Sequence, residues 1–256
     1  MQTDSPYHAL SETYDAIRPG YPDALIDDIL AQTALTIDAP LLEIGAGTGK
    51  ATCSFLSRGF CVDAVELDAH MAARLERKLA SARLNLFVSA FETWDAPRND
   101  YGLIYCAQAF HWLDRHTKFQ RCAQLLAPGG FLALFWYDPL PPADSAALRE
   151  TERVKRSYFG PAQHTQMVSL DVREQEIQAA HEFTLVFEQQ YNIILHNSAE
   201  QALMAMESTP AFTQAYQKLS CDAQRRFKQE FTKAVLENGG FLDAPMRYSL
   251  YLLKKK

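Results

Sequence analysis

Short apolar runs alternate with amphipathic segments through the first half of the chain. The apolar runs are bounded by turn-forming residues and predict five buried strands, over residues 40–44, 61–66, 84–88, 101–107 and 131–137. Helical spacing of apolar residues, or an abundance of strong helix formers, predicts helices over residues 22–34, 50–58, 69–80 and 111–126. Strands that alternate with helices in this way predict a parallel sheet with helices on both faces.

The pattern changes after Tyr137. A proline-rich loop, DPLPPAD, leads into a charged and mostly helical stretch that extends to residue 181. Further strands are predicted over residues 183–195 and 246–253, with helices near 199–207, 210–218 and 220–237 between them. We therefore divide the chain into an α/β core with an N-terminal lid, a helical cap insertion and a C-terminal part that completes the sheet, comprising residues 1–138, 139–181 and 182–256.

Charge and composition narrow the range of partners. The 256 residues carry a net charge of −6, which disfavours nucleic acid because its binders usually carry a basic patch. No apolar stretch approaches the roughly 18 residues that span a bilayer, and residues 1–15 lack the regions of a signal peptide. The five cysteines form no CxxC pair, so we expect reduced, mostly buried thiols in a cytoplasmic protein. No cluster of side chains has metal-ligand spacing, so no metal is expected.

The first strand runs into a turn with glycine at alternate positions, in the segment LLEIGAGTGK. A phosphate-binding P-loop would need glycine at Ile44 and serine or threonine at Ala51, so that template fails at both ends. A dinucleotide fingerprint matches Gly45 and Gly47, but its third glycine would fall on Lys50, which weakens that alternative without removing it. Glycines at alternate positions let the backbone approach a bulky ligand closely.

Carboxylates at the ends of the first two strands indicate the kind of ligand. Glu43 precedes the turn, where an anion would repel a diphosphate and attract a cation. This favours S-adenosylmethionine, which carries a sulfonium and an ammonium group. Glu66 closes the second strand, where a carboxylate can accept hydrogen bonds from both ribose hydroxyls of an adenosine. Asp68 is predicted to cap the helix that follows.

Five segments resemble, in order and spacing, the motif series of class I S-adenosylmethionine-dependent methyltransferases: LLEIGAGTGKAT, AVELD, SAFETW, YGLIYCAQAFHW and LLAPGG. The resemblance covers about residues 7–137. Two further segments, YDAIRPGYP and AFHW, resemble small-molecule methyltransferases related to trans-aconitate methyltransferase. The resemblance implies a Rossmann-like methyltransferase fold, which is α/β with a doubly wound, mostly parallel seven-stranded sheet and a helical cap insertion. It also implies S-adenosyl-L-methionine as the cofactor.

The resemblance further implies roles for individual residues. Those expected at the methionine and sulfonium end of the cofactor are Glu43, Gly45, Ala46, Gly47, Gly49, Ala107 and Gln108. Those expected at the ribose and adenine are Glu66, Leu67, Phe91 and Glu92. The segment expected to close over the cofactor, where an aromatic ring could cover the sulfonium, contains Tyr14, Arg18 and Tyr21. The alternative for that segment is a packed N-terminal arm.

The acceptor side of the site is less patterned. His111 and Trp112 follow the fourth strand, where acceptors meet the methyl group in the family, and His111 is a candidate general base. The alternative is a histidine that packs on Trp112 at the start of a helix. The expected function is methyl transfer to a small-molecule acceptor, with a carboxylate as one candidate because it is already ionised and needs no base. A non-catalytic protein that binds S-adenosylmethionine or S-adenosylhomocysteine is the alternative.

Overall fold

A seven-stranded sheet lies at the centre of the computed structural model, which describes residues 19–161 and 170–256. Its strands are β1 Leu41–Ile44, β2 Val62–Glu66, β3 Leu84–Val88, β4 Tyr101–Ala107, β5 Leu126–Pro139, β6 Phe183–Asn197 and β7 Leu242–Lys255. They follow the order β3-β2-β1-β4-β5-β7-β6. β1 to β5 pair in parallel, and β7 is antiparallel to both β5 and β6. The predicted α/β fold with a doubly wound, mostly parallel sheet is confirmed.

Helices follow most of the strands. They are α1 Asp23–Thr33, α2 Lys50–Leu56, α3 Ala69–Lys78, α4 Lys118–Leu125, α5 Ala146–Phe159, α6 Leu170–Gln178, α7 Ala199–Glu207, α8 Pro210–Gln217 and α9 Cys221–Leu236. The side chain of Asp68 accepts from the N–H groups of His70 and Met71 and caps α3, as predicted. Ser198 and Gln201 form a capping box at α7. Local sequence therefore fixes where these helices begin.

Alternating side chains of the strands build an apolar core on each face of the sheet. In β4, Leu103 and Tyr105 belong to the cluster on one face, whereas Ile104 and Cys106 belong to the cluster on the other. All four residues of β1 are buried. A strand that is covered on both faces is mostly apolar, which explains why β1 reads as an apolar run interrupted only by Glu43.

The sheet reverses its strand order at β1. From β1 the chain moves outward through β2 and β3, and it then returns to the other side of β1 with β4 and β5. Ligands of open parallel sheets bind beyond the carboxyl ends of the strands at such a point. The strand ends at Ile44, Glu66 and Ala107 therefore mark the place where a site is expected.

One predicted helix is divided in the structure. Residues 111–126 contain the end of a 3₁₀ turn, Phe110–Trp112, and the separate helix α4. Between them, the carboxylate of Asp114 accepts from the N–H of His116 and the hydroxyl of Thr117. An aspartate that binds nearby backbone in this way competes with helical hydrogen bonds, so the helix begins only after the turn.

The cysteines also differ from expectation. Cys106 is buried, whereas Cys53 and Cys61 are exposed. Cys53 is exposed because α2 packs on its neighbours through Ala51 and Phe55.

Among the described residues, no helix is long and apolar enough to cross a membrane. No group of three or more His, Cys, Asp or Glu side chains in that part of the chain could hold a metal ion.

The two helices that follow β5 attach to different parts of the molecule. α5 packs on α9, and an apolar cluster around Phe227 and Phe231 joins α5, α7 and α9. α6 packs on the sheet instead, because its Ile177 belongs to the core cluster that contains Trp136 and Tyr251. α6 thus covers one face of β5 and β7.

Candidate cofactor site

A cleft opens at the carboxyl ends of β1, β2 and β4. It has about 820 Å³ of empty volume, its open mouth included. Among the residues singled out in the sequence, those that line it are Tyr21, Glu43, Gly45, Ala46, Gly47, Glu66, Ala107, Gln108 and Trp112. The two carboxyl groups and the glycine turn therefore lie together, as expected for residues at the carboxyl ends of neighbouring parallel strands.

Gly45 is the tightest point of the turn after β1. Its φ of +70° is left-handed, and a Cβ there would lie 2.5 Å from the Cβ of Ala109. Its N–H donates to the carbonyl of Val65 at 2.8 Å. Gly49 has a different role, because it precedes α2 and a Cβ there would lie 2.8 Å from Leu79. Gly45 therefore shapes the cleft, whereas Gly49 permits close packing beside it.

Replacing Gly45 with alanine is expected to lower the free energy of unfolding by about 2 kcal/mol, because the new Cβ adds left-handed strain to the contact with Ala109. Urea unfolding measures the change. The double variant Gly45→Ala/Ala109→Gly should recover part of the loss. Gly20→Ala is a matched control, since a Cβ at Gly20 meets no atom within 4 Å. A Gly45→Ala protein as stable as the wild type would contradict the close approach.

Glu66 presents an oriented carboxylate to the cleft. Its Oε2 accepts from the N–H of Gly47 at 2.7 Å, and its Oε1 accepts from the N–H of Asp68 at 2.8 Å. Each carboxylate oxygen can accept a second hydrogen bond. Burial raises the pKa of Glu66, and the two backbone N–H groups oppose that shift. The arrangement suits a ligand with two adjacent hydroxyl groups.

Glu43 lies deeper, with 1% of its surface exposed. Its Oε2 accepts from the hydroxyl of Thr52 at 2.6 Å and from the hydroxyl of Tyr105 at 2.9 Å. Burial raises the pKa of Glu43 to about 8. The expectation that Glu43 is an anion is therefore corrected for the free protein. At neutral pH the group is mostly protonated unless a cation in the cleft favours the ionised form.

The turn after β4 is held by Gln108. This residue has a left-handed φ of +64°, which is uncommon outside glycine. Its backbone N–H donates to the carbonyl of Phe135 at 3.1 Å, and its side-chain Nε2 donates to the carbonyl of Tyr137 at 2.9 Å. These two bonds fasten the turn to β5 and offset the backbone strain. Ala107 and Gln108 thereby keep a fixed place in the wall of the cleft.

Aromatic side chains stand around the cleft. Tyr21 packs edge-on against Phe135 with ring centroids 4.8 Å apart, and Tyr137 lies beside it. Trp112 also lines the cleft although 72% of its surface is exposed. Such rings suit contact with a partly apolar small molecule.

His111 lies beside the cleft and does not line it. Its ring packs on Trp112 with centroids 4.7 Å apart. Burial lowers the pKa of His111, and the positive charges of Arg173 and Lys118 lower it further. The imidazole is therefore neutral at pH 7, as a general base must be, and its role as a base stays a prediction.

The remaining residues singled out in the sequence lie elsewhere. Leu67 is exposed after β2, Phe91 is buried in the core, and Glu92 accepts from a backbone N–H in the loop before α4. None of these three lines the cleft in the described structure. Tyr14 and Arg18 lie outside the described residues. Cofactor contacts by these five residues stay predictions.

Sequence reasoning missed part of the lining. The additional lining residues are Pro19, Thr48, Lys50, Ala51, Asp68, Met71, Ala109 and Tyr137. Thr48 and Lys50 lie in the segment LLEIGAGTGK, but the roles predicted there were assigned to Glu43, Ala46 and the glycines. Tyr137 lies near the end of β5, so the expectation that ligands bind at the carboxyl ends of the strands could have identified it. Met71 faces the cleft from α3, and no motif marks it.

Residues 41–130 match the family model described as a methyltransferase domain. An uncharacterized methyltransferase of Mycobacterium tuberculosis is 33% identical over 123 residues, which are 48% of this chain and 48% of that protein. A trans-aconitate 2-methyltransferase of Rhizobium meliloti is 32% identical over 142 residues, which are 53% of this chain and 52% of that protein. The chain thus spans about half the length of the curated relatives it matches.

Solved structures share the fold. A candidate type II methyltransferase from Anaeromyxobacter dehalogenans superposes with a TM-score of 0.64 at 18% identity, over 93% of this chain and 97% of that chain. Phosphoethanolamine N-methyltransferase 2 of Haemonchus contortus, solved with S-adenosyl-L-methionine, has a TM-score of 0.57 at 16% identity, over 98% of this chain and 58% of that chain. Identities this low show the fold alone. The chain thus matches the methyltransferase domain over residues 41–130 and has a Rossmann-like methyltransferase fold.

Proposed function

We propose that the chain transfers a methyl group from S-adenosylmethionine to a small-molecule acceptor by in-line displacement. The observation that carries the proposal is the set of carboxyl groups in the cleft. Among the described lining residues, the carboxyl groups of Glu43, Glu66 and Asp68 face a single basic side chain, Lys50. This set of groups disfavours a diphosphate and suits an adenosine whose other end is cationic.

The residues of the cleft divide between the parts of the cofactor. Glu66 would accept hydrogen bonds from the ribose hydroxyls, because backbone N–H groups already orient its two oxygens. The turn at Gly45 and Gly47 would let the backbone approach the methionine part closely, and Glu43 would stabilise positive charge there. When bound, S-adenosylmethionine supplies an electrophilic methyl group on its sulfonium.

We propose a small carboxylic acid as the acceptor. A carboxylate is ionised at neutral pH, so no proton has to be removed and His111 is not required as a base. The rings of Tyr21, Trp112 and Tyr137 offer an apolar surface for the rest of such a molecule. The contribution of the chain is then orientation and proximity, which are worth on the order of 7–11 kcal/mol in well-oriented reactions.

Methyl transfer is tested with labelled S-adenosylmethionine, a metabolite extract and trans-aconitate, with mass spectrometry of the products. The wild-type protein should bind S-adenosylhomocysteine in isothermal titration and pass label to a small molecule. Gly47→Arg should abolish both, because a side chain at Gly47 meets no protein atom within 4 Å and extends into the cleft. Gly160→Arg is the matched control, since Gly160 also has a positive φ and open space but lies after α5.

Two results would contradict the proposal. A folded protein that gives no heat with either S-adenosylmethionine or S-adenosylhomocysteine is not a methyltransferase of this kind. A protein that binds both but labels no acceptor is the non-catalytic binding protein.

A further inference from the structure

Buried polar atoms without a hydrogen-bond partner gather in one place within the described part of the chain. They are Nδ1 of His111, Nε1 of Trp136, Nε of Arg173, Nε of Arg247 and Oγ of Ser249. Elsewhere among the described residues, only Nε1 of Trp94 is in the same condition. A buried donor without an acceptor destabilises the folded chain, because it has lost its hydrogen bonds to water. Several such atoms in one place indicate an acceptor that binds between them.

The register of the sheet brings Trp136, Arg247 and Ser249 together, and His111 lies close enough for the charges of Arg173 and Asp138 to act on it. Trp136 of β5 lies opposite Ser249 of β7, and Asp138 lies opposite Arg247. Directly opposed residues of an antiparallel pair share a face of the sheet. α6 covers this face, with the Arg173 guanidinium 5.2 Å from the Trp136 ring. We name the cluster the polar seam, and its members are His111, Trp136, Asp138, Arg173, Arg247 and Ser249.

The polar seam offers more donors than acceptors. The guanidinium of Arg173 donates to both carboxylate oxygens of Asp138, at 2.8 and 3.1 Å. The two residues are 7% and 8% exposed, so the pair is neutral and fixed. The unpartnered Nε–H groups of Trp136, Arg173 and Arg247 can only donate. A ligand that satisfies them must carry acceptor oxygens.

The two carboxylates that α6 carries near the polar seam both have hydrogen-bond partners, but only Glu176 is paired with a positive charge. Glu176 forms an ion pair with the buried Lys118 at 2.6 Å, and Glu174 accepts from the hydroxyl of Tyr251 at 3.0 Å, further along β7. Within the described residues, Arg247 has no carboxylate at ion-pair distance. Arg247 is therefore the positive charge of the polar seam that lacks a counter-charge, and an anion beside it would form charge-assisted hydrogen bonds.

The end of β5 separates the polar seam from the cofactor cleft. Tyr137 lines the cleft, whereas its neighbours Trp136 and Asp138 face α6. On the other side, His111 of the polar seam packs on Trp112, which also lines the cleft. His111 and Arg247 are only half-buried, so the polar seam reaches the surface at these two residues. One small molecule could therefore contact both the polar seam and the cleft.

We infer that the polar seam binds a carboxylate of the methyl acceptor, separate from the group that receives the methyl. This inference rests on the proposed function. The carboxylate oxygens accept hydrogen bonds from Arg247, from Nε of Arg173 and from Trp136, which supplies the partners that these buried donors lack. Anchoring at one end directs the other end of the acceptor past His111 towards the cleft. The polar seam thus selects small acids with a second acidic group.

Isothermal titration of the full chain with glutarate and trans-aconitate tests the inference. Each acid is titrated into the free protein and into the protein saturated with S-adenosylhomocysteine. Glutaramide and the trimethyl ester of trans-aconitate serve as neutral analogues. At least one acid should bind, and its neutral analogue should bind roughly 10- to 100-fold more weakly, as expected for the loss of charge-assisted hydrogen bonds.

Variants locate the binding. Arg247→Gln should weaken the acid by roughly 10- to 100-fold and leave the affinity for S-adenosylhomocysteine unchanged. Arg149→Gln, an exposed arginine paired with Asp144 on the surface, should change neither. Since removing Arg173 alone leaves Asp138 buried without its partner, the double variant Asp138→Asn/Arg173→Gln tests that part of the polar seam in a folded protein.

The outcomes separate the two proposals. Failure of S-adenosylhomocysteine to bind contradicts the proposed function, and the titrations of the free protein still test the polar seam. If S-adenosylhomocysteine binds but neither acid does, or if Arg247→Gln binds the acid as tightly as the wild type, the inference is wrong and water fills the polar seam.

Discussion

Replacing Glu66 with alanine is expected to lower the affinity for S-adenosylhomocysteine by roughly 100-fold or more, while the chain stays folded. The carboxylate holds the backbone of Gly47 and Asp68 at 2.7 and 2.8 Å and turns its remaining lone pairs into the cleft. Each hydrogen bond to a charged group is worth about 1.5–3 kcal/mol, and two of them to ribose hydroxyls account for the factor. Isothermal titration with S-adenosylhomocysteine measures it.

Glutamine is not a neutral replacement at this position. Because each oxygen of Glu66 already accepts from a backbone N–H, the amide of a glutamine would set its NH₂ group against Gly47 or Asp68. Glu66→Gln should therefore lose most of the affinity as well. Glu76→Gln, on the exposed side of α3, is the matched control and should bind as the wild type does. Binding by Glu66→Ala within threefold of the wild type would contradict the ribose role.

The first four strands of the sheet were predictable because they are short runs rich in apolar residues. The runs at residues 84–88 and 101–107 coincide with β3 and β4, and Asn99 and Asp100 mark the start of the second run. β5 begins earlier than predicted, at Leu126, because its first residues pair with Tyr101 despite the following proline and glycines. That pairing depends on a neighbouring strand, so it cannot be predicted from the hydrophobic pattern of one segment alone.

The part of the cleft that lies at the carboxyl ends of the strands was predictable from the sequence. Glu43 and Glu66 were found because each closes a buried strand, and the ends of parallel strands meet at one edge of the sheet. The state of Glu43 was not predictable, because it depends on Tyr105 and Thr52. Tyr105 lies beside Glu43 because of the register between β1 and β4. Its apolar sequence neighbours indicate only that it is a core residue.

The polar seam had no sequence signal at all. Arg173 lies in a charged helical stretch, and Arg247 lies in a strand rich in apolar residues. They meet because β7 runs antiparallel beside β5 and because α6 packs on the same face. Contacts between segments so distant in sequence follow from topology, whereas a motif search samples only neighbours along the chain.

Replacing Glu43 with glutamine is expected to stabilise the free protein at pH 8 and above by on the order of 4 kcal/mol, and to change little at pH 4.5. In the folded chain the pKa of Glu43 is raised from 4.5 to about 8 by burial. Between these values the folded chain holds a proton that the unfolded chain has released, so the wild-type free energy of unfolding falls as the pH rises. Glutamine does not ionise and avoids this loss.

The hydrogen bonds of Glu43 make the comparison clean. The oxygen of a glutamine can still accept from Thr52 and Tyr105, as Oε2 of Glu43 does at 2.6 and 2.9 Å. Urea unfolding of both proteins from pH 4.5 to 9 should therefore give a difference that grows through this range and levels off above pH 8. A constant difference would show that Glu43 is ionised throughout in the folded chain, whereas a difference that still grows at pH 9 would show that it stays protonated.

The same variant tests what the buried carboxyl is for. A sulfonium in the cleft favours the ionised form of Glu43, so binding of S-adenosylmethionine should release a proton near pH 7, as measured by titration in buffers of different ionisation enthalpy. S-adenosylhomocysteine lacks the sulfonium and should release less. Glu43→Gln should abolish this difference and weaken S-adenosylmethionine more than S-adenosylhomocysteine. Equal weakening of the two would place Glu43 at the shared ammonium group and away from the sulfonium.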